Sequence, residues 1–273
     1  MSNHFHVLLR VPKLENPSDQ ELLRRYEVLY PKPTRYQTAK LEVIKSQLRK
    51  GGKEADAWRA KQLALMGDVS PFMKLLKQRF SVWYNRSHQR YGTLWSERFK
   101  SVLVEAKSGV MRTMAAYIDL NAVRSGDVVD PKDYRFCGYG EAVAGNAAAR
   151  SGLSWLLEGP ARANWKQAQA SYRQTLFGKG SSPKENKQRL SAKDLKRVVA
   201  SQGRLPISTV LRCRIRYFSD GAVLGSKEYV QAQLQRYRAT TGRRERTQPR
   251  PLPEVTDWGD ITTLRGLRRS PFG

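Results

Sequence analysis

The chain is poor in cysteine and in long apolar runs. Its 273 residues include only two cysteines, Cys137 and Cys213, which stand far apart and outside any metal-binding or redox spacing. This spacing predicts two reduced thiols and argues against a disulfide scaffold. No apolar run reaches membrane-spanning length, and the first residues show no signal-peptide pattern. We therefore expect a soluble, cytoplasmic protein with no membrane partner.

Acidic residues are also scarce relative to basic ones. The sequence contains 24 Asp and Glu against 50 Lys and Arg, which gives a net charge of +26 and a pI near 10.4. Such an excess of positive charge favours phosphate-bearing partners, and nucleic acid is the commonest of these. Hydrophobic residues still make up 40% of the chain, so a globular body with its own core is expected.

Histidine occurs only three times, and two of the three stand in His4-Phe5-His6, at the start of a short apolar run. The alternation predicts a strand that presents both imidazoles on one face. Two neutral imidazoles on one face are suited to binding a single divalent cation. Phe5, Val7 and Leu9 would point the other way, into a core.

A second pattern predicts a helix over residues 109–124, which ends at Gly126. At 100° per residue, Tyr117 and Asn121 fall on its apolar stripe, one turn apart, whereas Asp119 falls on the opposite side. The stripe itself consists of Val110, Met111, Met114 and Ile118. A tyrosine and an amide would therefore face the body of the protein together.

Periodicity and capping signals predict the other regular elements. They are helices over 19–29, 38–65 with a break at Gly51-Gly52, 70–90, 191–201 and 226–238, and a strand over 99–105.

Two imidazoles, an amide oxygen and a tyrosine form a chemically meaningful set. A cation held by His4, His6 and Asn121 would polarise a phosphodiester, and the Tyr117 hydroxyl would attack its phosphorus. A phosphotyrosine link conserves the energy of the broken bond, which suits strand transfer better than hydrolysis.

Four stretches resemble, in order, the motifs of the single-tyrosine, HUH-type transposases. Residues 2–9 are similar to the His-hydrophobe-His strand of that family, 72–90 to its next helix, 92–101 to its Trp-Arg strand entry and 117–126 to its tyrosine helix. The nearest likeness is to the branch associated with repetitive extragenic palindromes. The resemblance covers roughly residues 1–140.

The resemblance implies an α+β fold, with an antiparallel sheet flanked by helices in a ferredoxin-like arrangement. It implies Mg²⁺ or Mn²⁺ on His4 and His6, with Asn121 as a candidate third ligand, and Tyr117 as the nucleophile. The substrate would be single-stranded DNA next to a hairpin, cleaved to a 5′ phosphotyrosine and a free 3′ hydroxyl. A bacterial, nucleoid-associated location and a homodimer are also implied.

Further basic and aromatic residues are candidates for DNA contact. Trp95, Arg98 and Lys100 form a cluster of the kind that stacks a base and holds its phosphate, although the two cations could equally solvate a strand end. Arg124, at the end of the tyrosine helix, is placed either to contact DNA or to complement the helix dipole.

The resemblance and the composition together predict four segments: a catalytic domain over 1–140 with a helical insertion at about 15–69, a helical extension and linker over 141–183, a basic helical DNA-binding region over 184–240, and a disordered tail over 241–273.

Relative to the family, the chain begins on its metal-binding strand, so we expect either that the true start lies upstream or that the chain is a decayed copy with an incomplete sheet. Two other functions stay open: a noncatalytic DNA-binding remnant, and a replication or conjugation nickase with the same His-x-His chemistry. The tyrosine helix and its Arg-Ser-Gly ending fit transposases better than nickases.

Overall fold

The computed structural model divides the chain into two compact units, which are considered separately. Unit 1 comprises residues 1–8 and 100–273, and unit 2 comprises residues 9–99. The structure describes residues 4–11, 16–31, 40–158, 164–178, 193, 197–198, 200–201, 203–212, 216–219, 221–242, 247–254 and 256–265. Most of the predicted helix over 191–201, the linker before it and Cys213 lie outside these residues.

Four helices make up the regular structure described in unit 2. They are α1 (Asp19–Leu29), α2 (Leu41–Lys50), α3 (Lys53–Leu63) and α4 (Val69–Ser87). The Ser18 hydroxyl caps α1 by accepting a hydrogen bond from the Glu21 amide. Gly51 and Gly52 separate α2 from α3 with φ values of 70° and 83°, a region that favours glycine. These caps and breaks confirm the helix pattern that the sequence predicts here.

The segment predicted as an insertion has a small hydrophobic core of its own. Ile44, Leu48 and Ala55 are buried in it, and Tyr26 and Trp58 pack against them. In addition, the Arg59 guanidinium donates two hydrogen bonds to the Asp19 carboxylate, and these join α3 to α1. Because apolar contacts and a bidentate ion pair both link the helices, this segment is folded rather than merely solvated.

Unit 1 contains the remaining helices and the described strands. The helices are α5 (Ser108–Asp119), α6 (Asn121–Ser125), α7 (Gly138–Val143), α8 (Ala147–Glu158), α9 (Trp165–Phe177), α10 (Ile207–Leu211), α11 (Arg216–Ser219) and α12 (Lys227–Thr241). The strands are β1 (Leu103–Val104), β2 (Val223–Gly225), β3 (Arg250–Pro251) and β4 (Thr262–Leu264). Unit 1 is therefore α+β. Among the described helices of the chain, none is long and apolar enough to cross a membrane.

The sheet of unit 1 is mixed, which corrects the antiparallel sheet expected from the sequence. Its strand order is β1-β2-β4-β3; β1 pairs with β2 in parallel, whereas β4 is antiparallel to both β2 and β3. A parallel pair needs a long crossover connection. Here the connection from β1 to β2 includes α5 to α11, and this length allows the chain to return in the parallel direction.

Apolar side chains cover both faces of this sheet. On one face, Val104 and Leu224 join the main core, which is formed largely by α5, α7, α8 and α9. On the other face, Val223 and Leu264 pack against Val230 of α12. The main core thus runs across the boundary expected after residue 140, because α8 and α9 pack directly on α5.

The prediction of a disordered tail is wrong for the described part of 241–273. Strands β3 and β4 form there, and Leu252, Trp258, Ile261 and Leu264 are buried. Apolar residues that are sparse in the sequence gather on the sheet and in the core, and their burial outweighs the polar, Pro-rich composition.

The strand predicted at His4 to Leu9 is also wrong. Residues 4–11 have no regular secondary structure, and Phe5, Val7 and Leu9 are 40%, 49% and 41% exposed instead of buried in a core. Burial does alternate along this segment, but on the residues that the sequence placed on the other face. His6 is half-buried, and Leu8 packs against the main core of unit 1. The described sheet is built from other segments, so the ladder bonds that define a strand do not form here.

Candidate nucleotidyl-transfer site

The predicted tyrosine helix forms as two consecutive helices, α5 and α6. Leu120 joins them with helical dihedral angles, and its amide donates to the Ala116 carbonyl oxygen. Gly126 then ends α6 with φ at 84°, as a left-handed C-cap. Because the turn continues through Leu120, Tyr117 and Asn121 stay one turn apart on one side, as the sequence predicts.

The Tyr117 ring contacts both an aromatic ring and a cation. Its ring stacks on Phe218 of α11 with centroids 4.9 Å apart and planes at 29°. The guanidinium carbon of Arg124 lies 4.0 Å from the centroid of the same ring. Tyr117 is only 3% exposed. Its ring is therefore held in one orientation by residues from two distant parts of the chain.

Arg124 is fixed by backbone oxygens as well as by the Tyr117 ring. Its Nη2 donates to the carbonyl oxygen of Tyr117 and its Nη1 to that of Leu211, both at 2.7 Å. A guanidinium donates in a rigid fork, so these two bonds fix its plane. This arrangement favours a bracing role for Arg124, a third possibility beside the DNA contact and the helix-dipole role considered from the sequence.

The two imidazoles lie next to the amide and the tyrosine. The His4 and His6 ring centroids are 5.1 Å apart, and the planes are nearly perpendicular. The Asn121 Nδ2 atom lies 3.3 Å from His4 Nε2. The ring centroids of His6 and Tyr117 are 6.3 Å apart. Two segments that are more than a hundred residues apart in the sequence thus meet within unit 1.

The donor set at this point fits a divalent cation. Imidazole nitrogens and an amide oxygen are ordinary ligands for Mn²⁺, and Mg²⁺ prefers oxygen donors. Turning the Asn121 amide about its last side-chain bond would bring Oδ1 to the position of Nδ2, facing His4. Over the described residues, no group of three or more His, Cys, Asp and Glu side chains assembles. The Asn121 amide is the further polar group beside the His4 imidazole.

The other predicted DNA contacts lie elsewhere in the chain. Trp95 and Arg98 belong to unit 2, and Lys100 begins the second segment of unit 1. The Trp95 indole is half-buried and donates to the Lys77 carbonyl oxygen at 3.2 Å, with the Lys77 ammonium 5.1 Å from its ring. Arg98 and Lys100 are exposed. A grouping of these three residues therefore remains a prediction.

Asp119 corrects another expectation, because it is buried and does not lie on a solvated face. Its carboxylate accepts hydrogen bonds from the Tyr172 hydroxyl at 2.7 Å and from the Tyr139 amide at 3.4 Å. Burial raises the pKa of Asp119 to about 6, against the opposing effect of these bonds. The helix period missed this because α7 and α9 cover the side of α5 that was expected to be solvated.

Sequence reasoning did not find Phe218 or Leu211, although Phe218 stacks on Tyr117 and the Leu211 carbonyl oxygen accepts a hydrogen bond from Arg124. They lie about a hundred residues after Tyr117, in a region where the sequence shows only an excess of basic residues. No local signal at Phe218 indicates an aromatic partner for Tyr117. Only the tertiary fold, which brings α10 to Arg124 and α11 to Tyr117, places them there.

Comparisons with known proteins give this chain no relative. No family model matches it, and no curated protein or solved structure does. The likeness to single-tyrosine transposases therefore depends on the quoted motifs alone and remains a hypothesis. The structure adds the convergence of His4, His6, Tyr117 and Asn121 to those motifs.

Proposed function

We propose that the chain is a single-tyrosine, metal-dependent DNA endonuclease and strand transferase of the transposase type, acting on single-stranded DNA beside a hairpin. One observation carries the proposal: His4, His6, Tyr117 and Asn121 gather in unit 1. A ferredoxin-like HUH arrangement of unit 1 and a homodimer belong to the same proposal.

In the proposed reaction, the Tyr117 phenolic oxygen forms a bond to a backbone phosphorus. The bond from phosphorus to the 3′ oxygen of the preceding nucleotide breaks, and that oxygen leaves as a free 3′ hydroxyl after taking up a proton. The phenolic proton passes to solvent. The downstream strand is then attached through its 5′ phosphate, and attack by another 3′ hydroxyl reverses the step without external energy.

The chain's own residues would prepare this step in two ways. Arg124 and Phe218 both contact the tyrosine ring, which reduces the entropy lost when the hydroxyl is aligned with phosphorus. His4, His6 and Asn121 would hold a Mg²⁺ or Mn²⁺ ion. When bound, such an ion would act as a Lewis acid on a phosphoryl oxygen.

A second candidate, a DNA-binding protein without nucleotidyl transfer, is favoured by two observations. The Tyr117 side chain is almost fully buried, and residues 4–11 are not part of the described sheet. A metal site without rigid support binds its ion weakly. In this case the +26 charge would bind DNA, and the tyrosine would serve only to pack α11 onto α5.

The decisive experiment detects a covalent protein–DNA adduct on a denaturing gel. The full chain is incubated with a single-stranded hairpin oligonucleotide and Mg²⁺ or Mn²⁺. A 3′ label should migrate with the protein, whereas a 5′ label should appear on a shortened free strand. Tyr117→Phe should abolish the adduct and keep DNA binding. The matched control is Tyr91→Phe, at a tyrosine that is 95% exposed, and it should leave the adduct unchanged.

The metal assignment has its own readout, which is direct Mn²⁺ binding measured by electron paramagnetic resonance. We expect His4→Ala and His6→Ala each to weaken Mn²⁺ binding by about tenfold or more, and Asn121→Ala to weaken it less. His88→Ala is the control, because His88 stacks on Tyr84 in unit 2. Equal Mn²⁺ affinity in wild type and the His6 variant would refute the site. Adduct formation by Tyr117→Phe would refute the nucleophile.

A further inference from the structure

Helix α4 exposes several large apolar side chains to solvent. Trp83 is 58% exposed, and Phe72, Leu76, Phe80 and Val82 are each at least 40% exposed. A single exposed apolar residue needs no explanation, but these five lie on one helix of 19 residues. A row of this kind indicates an interaction surface.

Part of this surface is a groove between α4 and the end of α1. The groove has a volume of about 580 Å³, which is within the range of ligand sites. Its lining comprises Tyr30, Leu75, Gln78, Arg79, Val82, Trp83, Arg86 and Ser87. Two arginines and two aromatic rings therefore border one open space, and all of these residues belong to unit 2.

The charge of this helix determines which partner it fits. Between Val69 and Ser87, α4 contains four basic residues and no Asp or Glu. Its basic residues are Lys74, Lys77, Arg79 and Arg86. The Arg79 guanidinium donates to the Leu29 carbonyl oxygen and lies 5.3 Å from the centroid of the Tyr30 ring. Arg86 is exposed about two turns further along α4. The groove thus combines exposed rings with positive charge and favours an anionic ligand that has aromatic parts.

Neighbouring rings support Trp83 on its own helix. Phe80 lies 5.5 Å away and Tyr84 6.4 Å away, measured between ring centroids. Phe80 in turn lies 5.7 Å from Trp95, whose indole is held by the Lys77 carbonyl oxygen. These neighbouring rings limit the motion of Trp83. The Trp83 side chain would therefore lose little conformational entropy when a flat ligand stacks on it.

We propose that this groove binds single-stranded DNA, with a base stacked on Trp83 and phosphates near Arg79 and Arg86. Proteins generally bind unpaired strands by stacking the bases on aromatic side chains and placing cations along the phosphate backbone. The surface consists of unit 2 residues and shares none with the Tyr117 cluster, and binding there needs neither metal nor tyrosine chemistry. The choice of DNA over RNA rests on the proposed function. A second copy of the chain fits less well, because two such faces would bring like charges together.

The test measures the affinity of the full chain for fluorescein-labelled oligo(dT) by anisotropy, with EDTA present so that no metal-dependent step occurs. We expect Trp83→Ala to weaken binding by about tenfold, Trp83→Leu by as much, and Trp83→Phe by much less, because only the last keeps a stacking face. Arg86→Gln should lower the slope of log affinity against log salt by about 0.7.

The matched control is Phe136→Ala. Phe136 is 73% exposed, and the Arg135 guanidinium lies 4.9 Å from its ring, but it belongs to unit 1. Its affinity should equal that of wild type. Because EDTA is present in the assay, a failure of the tyrosine chemistry would leave this proposal intact.

Three results would overturn the proposal. The first is wild-type affinity in Trp83→Ala. The second is full binding by Trp83→Leu together with a change from dimer to monomer in Trp83→Ala, which would make the face a contact between two copies. The third is tighter, Trp83-dependent binding of oligo(rU), which would assign the groove to RNA.

Discussion

The guanidinium of Arg124 lies over the Tyr117 ring and donates a hydrogen bond to the carbonyl oxygen of the same residue. Its other terminal nitrogen donates to Leu211 of α10. One side chain thus connects the tyrosine to an element about ninety residues away in the sequence. Contact with both the Arg124 guanidinium and the Phe218 ring leaves the phenol little freedom to rotate.

This relationship predicts that Arg124 contributes to stability as well as to the site. Arg124→Met should lower the free energy of unfolding by about 2 kcal/mol, because two backbone carbonyls lose charged donors. Arg124→Lys should recover only part of that loss, since an ammonium cannot reproduce the fork geometry. Urea denaturation measures both.

The control for Arg124 is Arg24→Met, at an exposed residue paired with Glu21, where the urea midpoint should stay close to that of wild type. If Arg124→Met kept its urea midpoint but bound DNA more weakly, the guanidinium would be a DNA contact and not a brace.

Asp119 predicts an unusual dependence of stability on pH. Burial raises its folded-state pKa from 3.8 to about 6, so the folded protein holds this proton more tightly than the unfolded chain. The protonated Asp119 therefore contributes to the free energy of unfolding in full below about pH 4, and this contribution is lost as the pH rises through about 6. The difference between these pKa values corresponds to about 3 kcal/mol.

Asp119→Asn should remove this loss, because the amide stays neutral and its oxygen still accepts the Tyr172 hydroxyl bond. Urea midpoints of wild type and variant, measured from pH 4 to pH 7, should diverge as the pH rises.

Asp260→Asn is the control. Lys107 lowers the pKa of Asp260, so its contribution has the opposite sign and is lost as the pH falls. Parallel curves for wild type and Asp119→Asn would contradict the burial of an ionisable Asp119.

A third prediction concerns a close backbone approach at Gly140 of α7. A Cβ atom at this position would lie 2.3 Å from the Tyr134 carbonyl oxygen. Gly140→Ala should therefore destabilise unit 1 by about 3 kcal/mol, because the backbone has to move. Gly152→Ala in α8 is the matched change, with no atom within 4 Å of the added methyl group. It should stabilise by about 0.5 to 1 kcal/mol. Thermal unfolding of both variants tests the packing of α7, and equal effects would contradict it.

Local elements were predictable because their signals are local. Ser18 begins α1, Gly51-Gly52 separates α2 from α3, and Ser226 caps α12. Each signal acts within one turn of the residue that carries it, since capping and positive φ depend on the nearest backbone groups. The strand at residues 4–9 was mispredicted because an alternating pattern specifies which sides residues face, whereas a strand also needs a partner.

By itself, the sequence determined the positive charge, the helices with clear caps, and the one-turn spacing of Tyr117 and Asn121. Tertiary structure alone decided that β1 and β2 run parallel, that Asp119 is buried, and that Phe218 and Arg124 contact the tyrosine. It also brought His4 within 3.3 Å of Asn121. Periodicity reports the face of one element, whereas these contacts join segments that are distant in the chain, and packing of the whole core decides which of them meet.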